Sequence, residues 1–246
     1  MAEERLDKTF DVLVENEVIE LVLPDNIKQN LRYEARPYQI EAFARFTYYL
    51  NKYKHRRKPS QLLFHMATGS GKTLIMAGAI VELYKKGYRN FIFFVNTDTI
   101  IRKTRENFLN SASLKYLFAQ QININNQPVS VREVDNFESV NDNDINIHFS
   151  TIQGLHSRLN TPRENSVTFE DFANKKIVLI SDEAHHVNSL TKQKLTGEEL
   201  EVERSWENTI TRIFDSNSDN VMLEFTATLE LSHPSVAAKY NSKLLF

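Results

Sequence analysis

Short, uninterrupted apolar runs recur along the chain, separated by segments whose apolar residues fall at helical spacing. Residues 61–65, 90–95, 145–149, 177–180 and 220–225 read as buried strands. Residues 38–53, entered through Pro37, together with 72–86 and about 99–110, read as helices. Strands that are apolar on both faces and alternate with helices predict an α/β fold, a mostly parallel sheet covered on both sides. Two stretches break this rhythm. Residues 120–146 are rich in Asn and Asp and predict a loop or hairpin, and residues 189–220 are polar, with one amphipathic helix through Trp206, Ile210, Ile213 and Phe214. Near the start, Phe10, Val12, Val14, Val18, Ile19, Leu21 and Leu23 predict a strand or short helix before Pro24.

The 246 residues suffice for one large domain or a domain with an extension. A net charge of −2 excludes a basic coat that would mark nucleic-acid binding by composition, though not a local basic face. Without cysteine, a disulfide scaffold, a thiolate zinc site, an iron–sulfur cluster and a cysteine nucleophile are all excluded. No apolar run approaches the roughly 20 residues of a membrane span, and the acidic opening has no secretory pattern. A cytoplasmic protein without membrane partners is the expectation.

The strand at 61–65 runs into Met66-Ala67-Thr68-Gly69-Ser70-Gly71-Lys72-Thr73 and then a helix, the context a phosphate-binding loop requires. Gly69 and Gly71 allow backbone N–H groups to converge on phosphate oxygens, and the helix adds its positive terminus. Lys72 would reach the terminal phosphates of ATP and the Thr73 hydroxyl would ligate Mg²⁺. Met66 stands where the strict pattern has a further glycine. The apolar strand 177–180 ends in Ser181-Asp182-Glu183-Ala184-His185. Acidic groups at the carboxyl end of a central strand lie where ligands bind in open α/β sheets. Asp182 would hold Mg²⁺ and Glu183 would orient and deprotonate the attacking water. Adjacent His185 and His186 lack further ligands at metal spacing.

Asp182-Glu183-Ala184-His185 resembles the DEAH form of the Walker B box in superfamily 2 helicases and translocases. Other pieces follow in that family's order. Arg36-Pro37-Tyr38-Gln39 resembles the motif whose glutamine reads adenine. Thr226-Ala227-Thr228 resembles motif III, which couples hydrolysis to nucleic-acid binding, and Ser150-Thr151-Ile152-Gln153 resembles a strand-contact motif. Residues 180–188 (ISDEAHHVN), the insert with Arg204-Ser205-Trp206-Glu207, and residues 224–230 (EFTATLE) are similar to the helicase part of the restriction subunit of type III restriction–modification enzymes. The type I motor subunit is the close alternative.

The resemblance implies a RecA-like P-loop domain over residues 31–246 after an N-terminal extension at 1–30. It implies catalysis by Glu183, Asp182 and Lys72. Arg36, Gln39, residues Thr68 to Thr73 (Gly69, Ser70, Gly71 and Lys72 among them) and His185 would bind ATP, with Mg²⁺ held by Thr73 and Asp182. Asn96, Thr97, Arg102, Thr151 and Gln153 are the candidate nucleic-acid contacts, because backbone binding uses such groups without base reading. The basic run Lys52, Lys54, Arg56, Arg57 and Lys58 reads either as a solvated connector or as a DNA contact. Implied partners are duplex DNA, a second RecA-like domain and a modification methyltransferase subunit. Since the family motor closes its site with arginine fingers from a second domain, and neither that domain nor a nuclease signature follows here, the expectation is a motor domain cut short. Such a piece binds Mg-nucleotide, hydrolyses ATP slowly and does not move DNA. Other readings are an RNA-directed helicase, a small-molecule kinase and a nucleotide-gated interaction module without turnover.

Overall fold

A computed structural model describes residues 5–138, 140–161, 168–182, 197–229 and 231–246. Its centre is a six-stranded sheet of β1 (Ser60–His65), β2 (Asn90–Val95), β5 (Val131–Glu133), β6 (Ile145–Thr151), β7 (Ile177–Asp182) and β8 (Val221–Thr226). The spatial order is β1-β8-β7-β2-β6-β5, and every neighbouring pair is parallel. β3 (Ile122–Ile124) and β4 (Gln127–Val129) form a separate antiparallel hairpin within the Asn-rich stretch. This is the parallel α/β architecture that the alternation of apolar runs and helical segments predicts.

One face of the sheet carries α1 (Leu6–Glu15), α2 (Asp25–Asn30), α3 (Pro37–Asn51), α4 (Lys72–Lys85) and α5 (Asp98–Leu109). The helix α4 lies deepest: every residue from Leu74 to Tyr84 is buried. Its Gly78 lets α3 approach closely, since a Cβ there would lie 2.4 Å from the Phe43 ring. The other face is covered by α6 (Ile152–Asn160), α7 (Phe169–Ala173) and α8 (Gly197–Asp215), whose Ile210, Ile213 and Phe214 pack on Ile92, Leu179 and Met222. Near β1, α9 (Pro234–Tyr240) seals a third cluster through Val236 and Tyr240. Beyond it Leu244 bridges Leu63 in parallel, extending the β1 edge.

Of the two options for the N-terminal segment, the structure takes the helix: α1 covers Leu6–Glu15, and residues 16–24 lie outside helix and strand before α2. Leu6 and Phe10, one turn apart, are buried, and Val12 is exposed. Ile19 is buried outside any helix or strand, whereas Val18, Leu21 and Val22 are exposed. Arg45 of α3 joins this segment to the rest, donating to Asp11 Oδ1 at 2.7 Å and to Glu41 Oε1 at 2.6 Å. Among the described residues no helix is long and apolar enough to cross a membrane.

Candidate nucleotide site

All six strands of the sheet run in the same direction, so their carboxyl ends share one edge. Three adjacent strands, β1, β8 and β7, bring the sequence motifs together there. His65 lies opposite Thr226, and Phe225 lies opposite Asp182. Under this edge Phe64 and Phe225 stack with ring centroids 4.8 Å apart and planes 8° from parallel.

The segment 66–71 leaves β1 and turns into α4. Gly69 and Gly71 have φ of 77° and 81°, the left-handed region that glycine enters without a Cβ penalty. Ala67, Thr68 and Gly69 are exposed, and Ser70 to Thr73 are half-buried. The Ser70 hydroxyl donates to the Ala67 carbonyl at 2.7 Å, closing the turn. Lys72 Nζ reaches back over the loop to the carbonyls of Met66 and Ala67, at 3.3 and 3.4 Å. Its charge is therefore held over the loop concavity by neutral acceptors at the long limit of hydrogen bonding.

Gln39 connects α3 to this loop. Its Oε1 accepts from the Arg36 backbone N–H at 2.9 Å, one half of a capping box, and its Nε2 donates to the Ser70 carbonyl at 2.8 Å. The side chain is only 4% exposed. Gly71 takes a left-handed φ, and a Cβ there would lie 2.5 Å from Gln39 Nε2, so another residue would also push the Gln39 amide aside. The Tyr38 hydroxyl donates to the same Ser70 carbonyl at 2.8 Å. Sequence reasoning did not single out Tyr38. Neighbouring helical residues point about 100° apart, so periodicity gives no reason for both to reach one oxygen. Arg36 is exposed, its guanidinium 3.4 Å from the Tyr38 hydroxyl.

The strand β8 enters the loop through its backbone, as Met66 N–H donates to the Thr226 carbonyl at 2.9 Å. Thr226 Oγ1 accepts from Thr228 N–H at 3.2 Å and donates to the Thr228 carbonyl at 2.8 Å. The Thr226-Ala227-Thr228 turn is thereby held one hydrogen bond from the start of the phosphate loop. Asp182 is half-buried at the end of β7. Beside it, Ser181 is 1% exposed and its hydroxyl oxygen has no hydrogen-bond partner. Glu183, His185 and His186 lie outside the described residues. Among the described residues no group of three or more His, Asp or Glu gathers to hold a metal ion.

The candidate nucleic-acid contacts occupy the same edge one and two strands further on. Val95 lies opposite Thr151, so Asn96 and Thr97 follow β2 next to the start of α6. Thr97, Arg102 and Gln153 are exposed and Asn96 is half-buried. Thr151 caps α6, its Oγ1 accepting from Gly154 N–H at 3.0 Å. The basic run at 52–58 lies at the opposite end of β1 from the phosphate loop, so the two belong to different edges of the sheet.

Residues 32–231 match the family model described as "Type III restriction enzyme, res subunit". The chain is 36% identical to the probable type III restriction-modification enzyme HindVIP Res subunit of Haemophilus influenzae, an alignment covering 91% of this chain and 48% of that protein. It thus spans about half the length of that curated relative. Among solved structures, the SWI2/SNF2 ATPase core of Sulfolobus solfataricus in complex with dsDNA is similar at TM-score 0.48 and 15% identity, covering 92% of this chain and 38% of that one. The UvsW helicase of bacteriophage T4 is similar at TM-score 0.45 and 16% identity, covering 99% and 67%.

Proposed function

The chain belongs to the family of type III restriction enzyme Res subunits, and we propose that it is the ATP-binding motor domain of a restriction system acting on duplex DNA. The observation that carries this reading is the meeting, at one sheet edge, of the glycine loop, the Gln39 amide and the Asp182 strand end.

The residues fit a Mg-nucleoside triphosphate. The loop is exposed at Ala67 to Gly69, and Lys72 can exchange two long carbonyl contacts for phosphate oxygens. Gln39 is the adenine-reading candidate, fixed in place by the same amide bonds that order the loop. Thr73 and Asp182 would hold Mg²⁺. The ion would take the rest of its shell from nucleotide phosphates and water, the usual arrangement for Mg²⁺. When bound, the nucleotide and its ion supply the transferable phosphoryl group and neutralise its charge. The chain's part is to position and to move one proton. Lys72 and the loop N–H groups orient the phosphates, and Glu183 accepts the proton of the attacking water. Arg36, Thr68, Ser70 and His185 complete the nucleotide-binding set.

Thr226, Ala227 and Thr228 would transmit the state of the phosphate loop to a bound strand through the Met66–Thr226 hydrogen bond. Asn96, Thr97, Arg102, Thr151 and Gln153 would grip the backbone. A second RecA-like domain would complete catalysis, and a modification methyltransferase subunit and duplex DNA are the partners this reading assigns.

The test is ATP turnover by the purified chain with and without duplex DNA, beside a Mg-ADP titration. Binding with negligible turnover supports a motor half-site. Rapid DNA-stimulated turnover would mean that the chain, alone or as a dimer, completes the site itself. No Mg-nucleotide binding would overturn the proposal.

A further inference from the structure

The amino ends of the strands form a second edge, roughly 20 Å from the phosphate loop at about 3.3 Å per residue along six-residue strands. The parallel register places one row of residues along it. Ser60, Val221, Val178 and Phe91 lie opposite one another on β1, β8, β7 and β2. Two positions earlier on each strand stand Lys58, Asp219, Lys176 and Arg89. Lys58 Nζ donates to Asp219 Oδ1 at 2.8 Å, and Lys176 lies 3.6 Å from Oδ2 of the same carboxylate. These lysines hold the Asp219 carboxyl below its ordinary range, the hydrogen bond from Lys58 first. One acid is thus shared between two cations.

Above the row, a cleft of about 610 Å³ adds Arg56 and, from the last turn of α4, Lys85 and Lys86. Among the described residues lining it, the other acid is Glu82, which is buried and lies 3.9 Å from Lys86. Among the described residues no carboxylate pairs with Arg56, Lys85 or Arg89. Lysines at a helix C-terminus are accounted for by the helix dipole. Lys58 and Lys176 are not, since they sit in loops entering strands, while the Arg89 guanidinium is held by the carbonyls of Asp142, Tyr84 and Tyr88 and lies over the Tyr84 ring. A chain of net charge −2 therefore concentrates cations from four separate segments on one edge.

We infer that this amino edge is a binding surface for the phosphate backbone of duplex nucleic acid, separate from the strand-contact positions at the carboxyl edge. At about 4.8 Å per strand the row from β1 to β2 spans about 14 Å. A duplex strand presents a phosphate every ~3.4 Å along its axis, so the row meets a run of phosphates rather than a single ion. The apolar lining, Leu50 and Tyr88, is buried. Nothing there offers the exposed aromatic anchor on which protein partners concentrate binding energy. Lysine-rich contact without anchors is sequence-independent backbone binding.

The test is fluorescence anisotropy of a labelled 30-base-pair duplex against the chain over a salt series. The parent binds, and the double variant Lys85→Gln/Lys176→Gln binds about tenfold more weakly, with a salt slope smaller by about 2. Asp219→Asn releases two lysines and tightens binding, a gain that misfolding cannot produce. Mg-ADP affinity stays at the parent value in all of them, which separates this surface from the nucleotide site. An unchanged duplex affinity and slope in the double variant overturns the inference. Loss of binding to a polyglutamate peptide with duplex binding intact also overturns it, in favour of an acidic protein partner.

Discussion

The Gln39 amide donates to the Ser70 carbonyl at 2.8 Å while its oxygen holds the Arg36 N–H. One side chain thus fixes both the start of α3 and the shape of the phosphate loop. Gln39→Ala removes both bonds. At about 1 kcal/mol each, the variant should lose roughly 2 kcal/mol in urea unfolding and bind Mg-ATP more weakly than the parent. An unchanged affinity for Mg-ATP would show that the loop keeps its shape without Gln39.

Gly71→Ala should be more damaging than Gly69→Ala. Both positions have left-handed φ, which costs a residue with a Cβ about 1–2 kcal/mol. At Gly71 the Cβ also meets Gln39 Nε2, whereas at Gly69 nothing lies within 4 Å. Thermal melts of the two variants, with Mg-ADP titrations beside them, should rank them in that order.

Lys72→Ala should leave stability nearly unchanged, because its two contacts are long and to neutral carbonyls. Removing a charge-assisted phosphate contact worth about 1.5–3 kcal/mol should weaken Mg-ADP binding roughly 10- to 100-fold. Glu183→Gln should instead keep nucleotide binding and abolish residual turnover. Isothermal titration and a phosphate-release assay separate the two phenotypes.

Phe225→Ala should destabilise the chain by about 3–5 kcal/mol. Its fully buried ring stacks on Phe64 between the strands that lead to the loop and to the Thr226 turn. Phe225→Leu should retain most of that stability. Denaturant midpoints of the two variants check the difference.

His148 gives the fold a pH dependence. Burial lowers its pKa below the ordinary value of 6.5, against the hydrogen bond between Nδ1 and the Val134 carbonyl at 3.0 Å. The folded state therefore favours the neutral ring. Its contribution is fully present above about 6.5 and is lost as the pH falls below it, where the unfolded chain takes up the proton first. Unfolding free energy should drop between pH 7.5 and 5.5, and the drop should be smaller in His148→Gln.

Much of the local geometry of the candidate site was legible in the sequence because it is local. The turn at Gly69 and Gly71, the helix that follows, and the acidic end of an apolar strand are set by neighbours within a few residues. The motif containing Gln39 was legible too, but its partner Ser70 was not, since nothing local to α3 says which carbonyl it meets. In the N-terminal segment the sequence left strand and short helix open for a related reason. Its apolar residues at 10, 12 and 14 alternate like a strand, while the buried pair Leu6 and Phe10 obeys helical spacing. Burial against α3 selected the second pattern.

The sequence by itself determined most of the elements, the parallel class of the sheet and the glycine turn of its loop, because hydrophobic period, glycine conformation and residue type are properties of short segments. Only the tertiary structure decided the order β1-β8-β7-β2-β6-β5. Apolar strands carry interchangeable backbone ladders, and their pairing follows from packing across the whole chain. That order puts Met66 beside Thr226, Phe225 beside Asp182, and Lys58, Lys176 and Arg89 on one edge. These relationships join residues far apart in sequence, and hydrogen-bond register, which no local pattern encodes, is what brings them together.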